Sequence, residues 1–458
     1  MNAIDNIDEI KVLKLSLHGR LVGYLAGFNN GRNVLTFADE FKDDPSRPTF
    51  SLITHPIFPH AEKLLSNPWV KNQRLHPTLS NLLPEGALRE LIAQGLKTHI
   101  DNEFQIFSYL GRDLPGALVA TPMDPDEVPN SILNTHGKVK AVKFISDDNE
   151  NRFSLAGVQM KFSMKEKDGR YNMTQSGEPG DWIVKTPSTK HKNLPLNEYT
   201  AMTLAALAGV DIPEIKLVEL DKLDNLPPIN LPDEKKAFAI KRFDRDGDSR
   251  IHMEDFAQVL VKYPQEKYGS ASYEQIGKVL YQFSGDGLAD TQQFARRLLV
   301  NILLANGDAH LKNWSLLYKD QITANLSPAY DIVTTSVYIE NETKIALNLG
   351  KTKEWFNVTT DNFQWWANKS DIPWRAIKPH LDDAMDKARY LWPDALKELP
   401  MDEKHKKVLK KHWQSIRQIL RFNLGGMGIG PRSWSCDKER PSICFHSMFN
   451  DPVAIYSR

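Results

Sequence analysis

The 458-residue chain contains only two cysteines, Cys436 and Cys444, both near its C-terminal end. This scarcity excludes a disulfide framework and a zinc site built on paired cysteine motifs, and it is typical of a reducing compartment. The chain also lacks an excess of charge of either sign, with 58 Lys and Arg against 58 Asp and Glu. No positive field over the whole protein therefore argues for nucleic-acid binding by the chain itself.

Long apolar runs are absent as well. No stretch approaches the roughly 18 consecutive apolar residues of a membrane span. The opening, MNAIDNIDEIKV, lacks the basic-then-apolar layout of a signal peptide. We therefore expect a soluble, cytoplasmic protein, whose length predicts about two or three domains.

Changes in hydrophobic pattern divide the chain into four parts. The first, residues 1–125, combines strand-like alternation with a helical stretch. The second, 126–243, begins in a polar, turn-rich segment (about 124–151) that we interpret as a linker, and continues as strands with one helix. The third, 244–425, has mostly helical periodicity, and the fourth, 426–458, is a tail to which we assign no function. A β-rich unit therefore precedes a helical one.

Particular turns and helices follow from local residues. Leu13, Leu15 and Leu17 alternate with polar residues before His18-Gly19, which predicts a hairpin. Asp168-Gly169 is a type I′ hairpin signal between two further strands. The stretch MEDFAQVLV, residues 253–261, is predicted to be helical.

One stretch, LLANGDAHLKNWSLLY (303–318), concentrates polar groups between two apolar runs. Burying such groups without partners costs roughly 1–3 kcal/mol for each neutral group and more for each charge. Asp308 and Asn313 in this stretch either satisfy one another in a structural turn or do chemistry. Taken alone, a helix-capping role is the simpler interpretation of both.

Neighbouring residues favour chemistry. A small-residue turn, SLAGVQMK, precedes a strand with Lys185, a helix with Glu198 follows, and Asp331 comes 18 residues after Asn313. Phosphoryl transfer from ATP requires a carboxylate base, an amide and a second carboxylate for Mg²⁺, a lysine paired with an acidic residue, and a turn over the phosphates. The parts occur in the order found in protein kinases, which capping alone does not explain.

Some features depart from protein kinases. The turn has the single glycine Gly157, His310 stands two residues after the expected base, and Asp331 is followed by Ile-Val instead of Phe-Gly. We interpret His310 as an organiser of its loop, and we assign both His310 and Lys312 to the ATP site.

Longer motifs make the chain resemble the HipA-type serine/threonine kinases of bacterial toxin–antitoxin pairs, over nearly all residues up to about 425. The motifs are LSNLLPEGALRE, GRDLPGAL, FSLAGVQMK, IVKTP, NEY, AIKRFDR, IHMEDFAQ, NGDAHLKN and SPAYDIV. The resemblance implies an α+β, atypical protein-kinase-like fold of two lobes, a β-rich N-lobe and an all-helical C-lobe. An extra N-terminal α/β subdomain precedes them.

The resemblance also assigns roles to residues. It implies Asp308 as catalytic base, Asn313 and Asp331 as ligands of Mg²⁺, and Glu198 as structural partner of Lys185. Ser154 falls where family members autophosphorylate, an event that turns the kinase off. The residues that it implies for ATP binding are Ala156, Gly157, Val158 and Gln159 over the phosphates, Lys185 on them, and Lys241 and Phe243 at the adenine hinge.

Partners are implied in the same way. The expected partners are a small DNA-binding antitoxin of the HipB type, operator DNA reached mainly through the antitoxin, and a protein substrate such as an aminoacyl-tRNA synthetase. The pair is expected to repress its own operon. Two alternatives stay open, namely a small-molecule kinase on the same scaffold and an inactive co-repressor module.

Overall fold

The computed structural model describes residues 8–135, 139–144, 160–173, 180–226 and 229–419. We call residues 8–144 the first region, 160–244 the second region and 245–419 the third region, in each case for the described residues. No helix among these residues is long and apolar enough to cross a membrane.

The first region is built on a six-stranded sheet with strand order β4-β3-β2-β1-β5, and β6 pairs with β1 in parallel. Its strands are β1 (Asp8–Leu17), β2 (Arg20–Phe28), β3 (Arg32–Phe37), β4 (Trp69–Asn72), β5 (Leu118–Pro122) and β6 (Val139–Ala141). Its helices are α1 (Asp39–Lys42), α2 (Ala61–Ser66), α3 (Pro77–Ser80), α4 (Gly86–Gly95), α5 (Glu103–Leu110) and α6 (Asn130–Thr135).

The alternation in β1 places Leu13, Leu15 and Leu17 in the main core of this region. His18 and Gly19 both have positive φ, +51° and +76°, as a two-residue type I′ turn requires. The predicted hairpin is therefore present.

The segment predicted to be a linker is structured in its described part. Ile132 of α6 is buried, and with Val128 it packs on the sheet face formed by Ile10 and Val12. β6 then adds a strand beside β1. Pairing of β6 thus extends the first sheet past the predicted boundary at residue 125, and the apolar side chains of Val128 and Ile132 cover one of its faces.

The second region is a second six-stranded sheet, in the order β10-β12-β9-β7-β8-β11, with one long helix. Its elements are β7 (Lys161–Lys167), β8 (Arg170–Met173), β9 (Trp182–Lys185), α7 (Leu194–Leu207), β10 (Ile215–Glu219), β11 (Leu223–Asp224) and β12 (Lys236–Lys241). Asp168 and Gly169, both at positive φ, form the predicted turn between β7 and β8.

The third region is mostly helical. Its helices are α8 (Phe256–Val259), α9 (Tyr273–Phe283), α10 (Gly287–Leu303), α11 (Thr360–Lys369), α12 (Trp374–Glu398) and α13 (Glu403–Ile419). It also contains the short strands β13 (Arg245–Asp246), β14 (Ser249–Arg250), β15 (His252–Asp255), β16 (Ser315–Tyr318), β17 (Asn325–Leu326), β18 (Lys344–Leu349) and β19 (Thr352–Glu354). The all-helical C-lobe is thus corrected to a helical one with small sheets.

The start of this region shows why the helix prediction for residues 253–261 was partly wrong. Residues His252–Asp255 are strand β15, which pairs with β16. Asp255 then begins the short helix α8 by accepting a hydrogen bond from the Gln258 N–H at 2.9 Å. Pairing with a strand about sixty residues away, which local periodicity does not record, decides the conformation.

A buried carboxylate joins the first and third regions. Glu254 is fully buried, and it accepts hydrogen bonds from the Ser51 hydroxyl at 2.7 Å, the Leu52 N–H at 2.6 Å and the Tyr318 hydroxyl. Burial raises the pKa of Glu254 to about 7, although these donors oppose the shift. Nearby, His252 bonds the Phe50 carbonyl at 2.9 Å, so it has the structural role expected of a buried histidine.

Candidate active site

A buried lysine lies at the centre of the site. Lys185 at the end of β9 contacts both Glu198 of α7 and Asp331, which follows β17. The side chains of Lys185 and Glu198 are only 5% and 1% exposed. Burial disfavours the Lys185 ammonium, but Asp331 and Glu198 raise its pKa above the ordinary value. Burial raises the pKa of Glu198, with Lys185 opposing the shift.

Asp331 is held as an anion in an unusual conformation. Its φ of +54° lies in the left-handed region, which costs a non-glycine residue free energy, and functional sites are one place where such strain is retained. Lys161 Nζ lies 3.3 Å from its Oδ2. Burial opposes ionisation, yet Lys161 and Lys185 hold the pKa of Asp331 well below its ordinary value.

The second cluster is the loop between α10 and β16. The Asp308 N–H donates to Asn306 Oδ1 at 3.0 Å, and Asn313 Nδ2 donates to the Asp308 carbonyl at 2.7 Å. The Asp308 carboxylate is about half exposed and accepts a hydrogen bond from the Tyr268 hydroxyl at 2.5 Å. Neither Asp308 nor Asn313 caps a helix of the described chain through its side chain. The loop instead folds on itself and presents one carboxylate.

His310 supports this loop as a neutral group. It is buried, and burial lowers its pKa to about 4, so the imidazole is uncharged at neutral pH. Its Nε2 is 3.9 Å from Asp308 Oδ1, beyond hydrogen-bond range, and its ring meets Tyr268 edge-on at 5.0 Å. An organising role agrees better with this environment than transfer of a proton.

The residues predicted for the hinge lie at the end of β12. Lys241 is exposed, with its Nζ 3.7 Å from Glu214. The Phe243 ring lies 5.6 Å from that of Tyr330, the residue before Asp331. The Phe243 ring is thus adjacent to the residue that precedes Asp331, whereas the Lys241 side chain is exposed to solvent.

Lys312 has partners that the sequence does not suggest. Its Nζ lies 2.8 Å from Glu85 and donates to the Asn81 carbonyl at 3.0 Å. Binding of Lys312 to ATP, as predicted, would compete with these two contacts of its ammonium group. Ser154, Ala156, Gly157, Val158 and Gln159 lie outside the described residues.

The residues predicted to hold Mg²⁺ have suitable chemistry. Asp331 is an ionised carboxylate, and Asn313 uses its nitrogen in the loop, so that its Oδ1 is the atom a metal would bind. Among the described residues no three or more His, Cys, Asp or Glu side chains are grouped to hold a metal. Mg²⁺ in phosphoryl-transfer sites is bound by one or two carboxylates together with substrate phosphates, so a larger cluster is not needed.

Comparison with known proteins assigns the chain to a family. Residues 13–121 match the model of the HipA N-terminal domain, and residues 153–392 match that of the HipA-like C-terminal domain. The chain belongs to the HipA family. The resemblance inferred from its motifs is thereby confirmed.

Relatives of this HipA-family chain are named as kinases. A Sinorhizobium fredii protein named "Putative kinase Y4dM" is 37% identical over 417 residues, covering 90% of this chain and 99% of the relative. The serine/threonine-protein kinase toxin HipA of Shewanella oneidensis is 24% identical over 298 residues, covering 59% of this chain and 65% of the relative.

The same fold occurs in a solved structure. HipA of Shewanella oneidensis MR-1, in complex with HipB and its operator DNA, superposes with a TM-score of 0.65 at 20% identity. The match covers 88% of this chain and 95% of that one. The α+β, kinase-like fold expected from the sequence is therefore confirmed.

Three residues of the site escaped the sequence reasoning, namely Lys161, Tyr268 and Glu85. Lys161 is the cross-strand neighbour of Lys185, so the hairpin register, once known, locates it. Tyr268 and Glu85 reach the loop of Asp308 from 40 or more residues away in sequence. Glu85 belongs to LSNLLPEGALRE, a motif that marks the family without indicating a role.

Proposed function

We propose that this HipA-family chain is an ATP- and Mg²⁺-dependent protein serine/threonine kinase and the toxin of a toxin–antitoxin pair. The observation that carries the proposal is the lysine cluster, in which the buried Lys185 contacts both Glu198 and Asp331. An ammonium has three N–H donors, so Lys185 keeps one for a phosphate oxygen while two carboxylates orient it. The kinase names of the relatives support the same activity.

The loop of Asp308 supplies the chemistry at the acceptor. Asp308 is exposed enough to meet a protein hydroxyl, and its carboxylate accepts the proton as the oxygen attacks the γ-phosphorus of ATP. The bond between the γ-phosphorus and the bridging oxygen breaks, and ADP leaves. Asp331 and Asn313 would hold Mg²⁺, which neutralises charge on the phosphate oxygens when bound. Positioning and electrostatics thus provide most of the rate enhancement.

The biological setting is proposed from the family. A HipB-type antitoxin is the expected partner, supported by the HipA structure with HipB and operator DNA. We propose that the pair represses its operon, with DNA contacted mainly through the antitoxin. A translation component such as an aminoacyl-tRNA synthetase is the proposed substrate, and Ser154 the proposed site of autophosphorylation.

The test is phosphosite mapping by mass spectrometry after incubation of the purified protein with Mg-ATP. Phosphoserine at Ser154 is expected in the wild type, and Asp308→Asn should reduce the rate by about 10²–10⁴-fold. Asp394→Asn is the matched control, because Asp394 is an exposed residue of α12 paired only with Lys397 among the described residues. Equal labelling by the Asp308 and Asp394 variants contradicts the assignment of the base. Labelling of free metabolites but of no protein favours a small-molecule kinase.

A further inference from the structure

Glu85 lies at the entrance of α4 in the first region, where a side chain is expected to cap its helix. Among the described residues, its carboxylate makes no capping hydrogen bond with α4. It points instead to the third region, where Oε1 lies 2.8 Å from Lys312 Nζ and Oε2 lies 2.7 Å from Lys267 Nζ. Each oxygen of one carboxylate therefore binds a different lysine.

The two lysines lie in the two segments that surround Asp308, the proposed catalytic base. Lys312 lies between Asp308 and Asn313 in the loop itself. Lys267 immediately precedes Tyr268, whose hydroxyl contacts the Asp308 carboxylate. The segments also meet directly, because the Leu311 N–H donates to the Lys267 carbonyl at 3.3 Å. Glu85, a residue of the first region, thus links the two segments of the third region that contact Asp308.

The contact requires a negative charge at Glu85. The side chains of Lys267 and Lys312 are mostly buried, 18% and 14% exposed, so their ammonium groups need an anionic partner. The pKa of Glu85 is lowered to about 2 by the two lysines, against the effect of burial, so it is ionised throughout the physiological range. The next carboxylate near Lys312 is Asp255, at 4.0 Å.

We propose that Glu85 is a positioning residue for the catalytic loop, acting through Lys312 and Lys267 to hold Asp308 and Asn313 in their working geometry. The role rests on the proposed kinase function. It gives the first region a part in catalysis without contact with substrate. It also gives Lys312 a role through its contact with Glu85.

Two readouts test this role in the full-length protein. The first is hydrogen exchange of the amides in residues 306–313, of which several are bonded within the loop. Glu85→Gln, which keeps the shape and removes the charge, should speed their exchange by about tenfold or more. The second is phosphorylation kinetics, in which Glu85→Gln should lower kcat by about 10–100-fold and leave the Kd for ATP, measured without Mg²⁺, unchanged.

Two further variants serve as controls. Glu90→Gln removes an exposed carboxylate from the same helix and should behave as wild type in both readouts. Glu85→Asp should recover part of kcat, which also covers the case in which Glu85→Gln fails to fold. Unchanged loop exchange in folded Glu85→Gln overturns the proposal, as does an equal effect of Glu90→Gln. If the wild type transfers no phosphate, the kinase function fails, while loop exchange still decides whether Glu85 orders the loop.

Discussion

Replacement of Lys185 by methionine should destabilise the protein through the carboxylate left behind. Methionine replaces the lysine by an apolar side chain of similar length. Glu198, which is 1% exposed, then loses its cation, whereas Asp331 keeps Lys161. Removing one partner of a buried ion pair costs about 3–5 kcal/mol. Protonation of Glu198 limits the cost. With an ordinary pKa of 4.5 and about 1.4 kcal/mol per pH unit, the neutral form costs about 3.5 kcal/mol at pH 7.

The pH dependence identifies this cause. In Lys185→Met the folded-state pKa of Glu198 lies above the unfolded value, so the folded state binds the extra proton and stability falls as pH rises. Because burial already raises the pKa of Glu198 in the wild type, these figures are upper limits for the deficit against wild type. Measured by urea unfolding with tryptophan fluorescence, the deficit should stay below about 1 kcal/mol at pH 5 and rise toward at most about 3.5 kcal/mol at pH 7. Adding Glu198→Gln should restore most of the loss at pH 7. A deficit equal at both pH values, or a double variant as unstable as the single one, refutes the reasoning.

Three other substitutions have defined outcomes. Tyr268→Phe should lower kcat by about tenfold with the Kd for ATP unchanged, because it removes the hydrogen bond to the Asp308 carboxylate; a changed Kd with normal kcat contradicts this. Burial raises the pKa of Glu254 to about 7, so wild type should lose about 3 kcal/mol of stability relative to Glu254→Gln between pH 4.5 and 7. A pH-independent difference in urea unfolding excludes that mechanism. Ile132→Ala should cost about 2–4 kcal/mol, whereas Ile57→Ala, at a 56% exposed position, should cost little; equal thermal shifts contradict packing of α6.

Part of the candidate site could be predicted from the sequence, because its residue types occur in the order that kinase chemistry requires. Lys185, Glu198 and Asp331 are separated by up to 146 residues, and Lys185 contacts both carboxylates in the structure. The order of the kinase parts suggested the pairing with Glu198, but not the contact with Asp331. Their roles in catalysis stay predictions. Glu85 could not be found in this way, because its importance depends on how the first region packs on the third.

For the fold as well, features that depend on neighbouring residues could be predicted, whereas features that depend on distant residues could not. The turn at Gly19 was predictable because two adjacent residues at positive φ determine it. The strand character of residues His252–Asp255 was not, since it depends on pairing with Ser315–Tyr318. The packing of Ile132 on the first sheet was not predicted, because the segment around it is polar and rich in turn residues and was interpreted as a linker.

The contact between Glu254 and Ser51 has a consequence for how the protein acquires its structure during synthesis. The two residues are 203 positions apart, so a ribosome must add the rest of the first region, the whole second region and the start of the third before the partner of Ser51 exists. Until then the Ser51 hydroxyl and the Leu52 N–H have no carboxylate to bind. Contacts of such separation slow folding, and docking of the first region should therefore be a late step. The segment 153–392 expressed alone would lack these two donors and the first-region residues that pack against Glu254, and it should fold poorly.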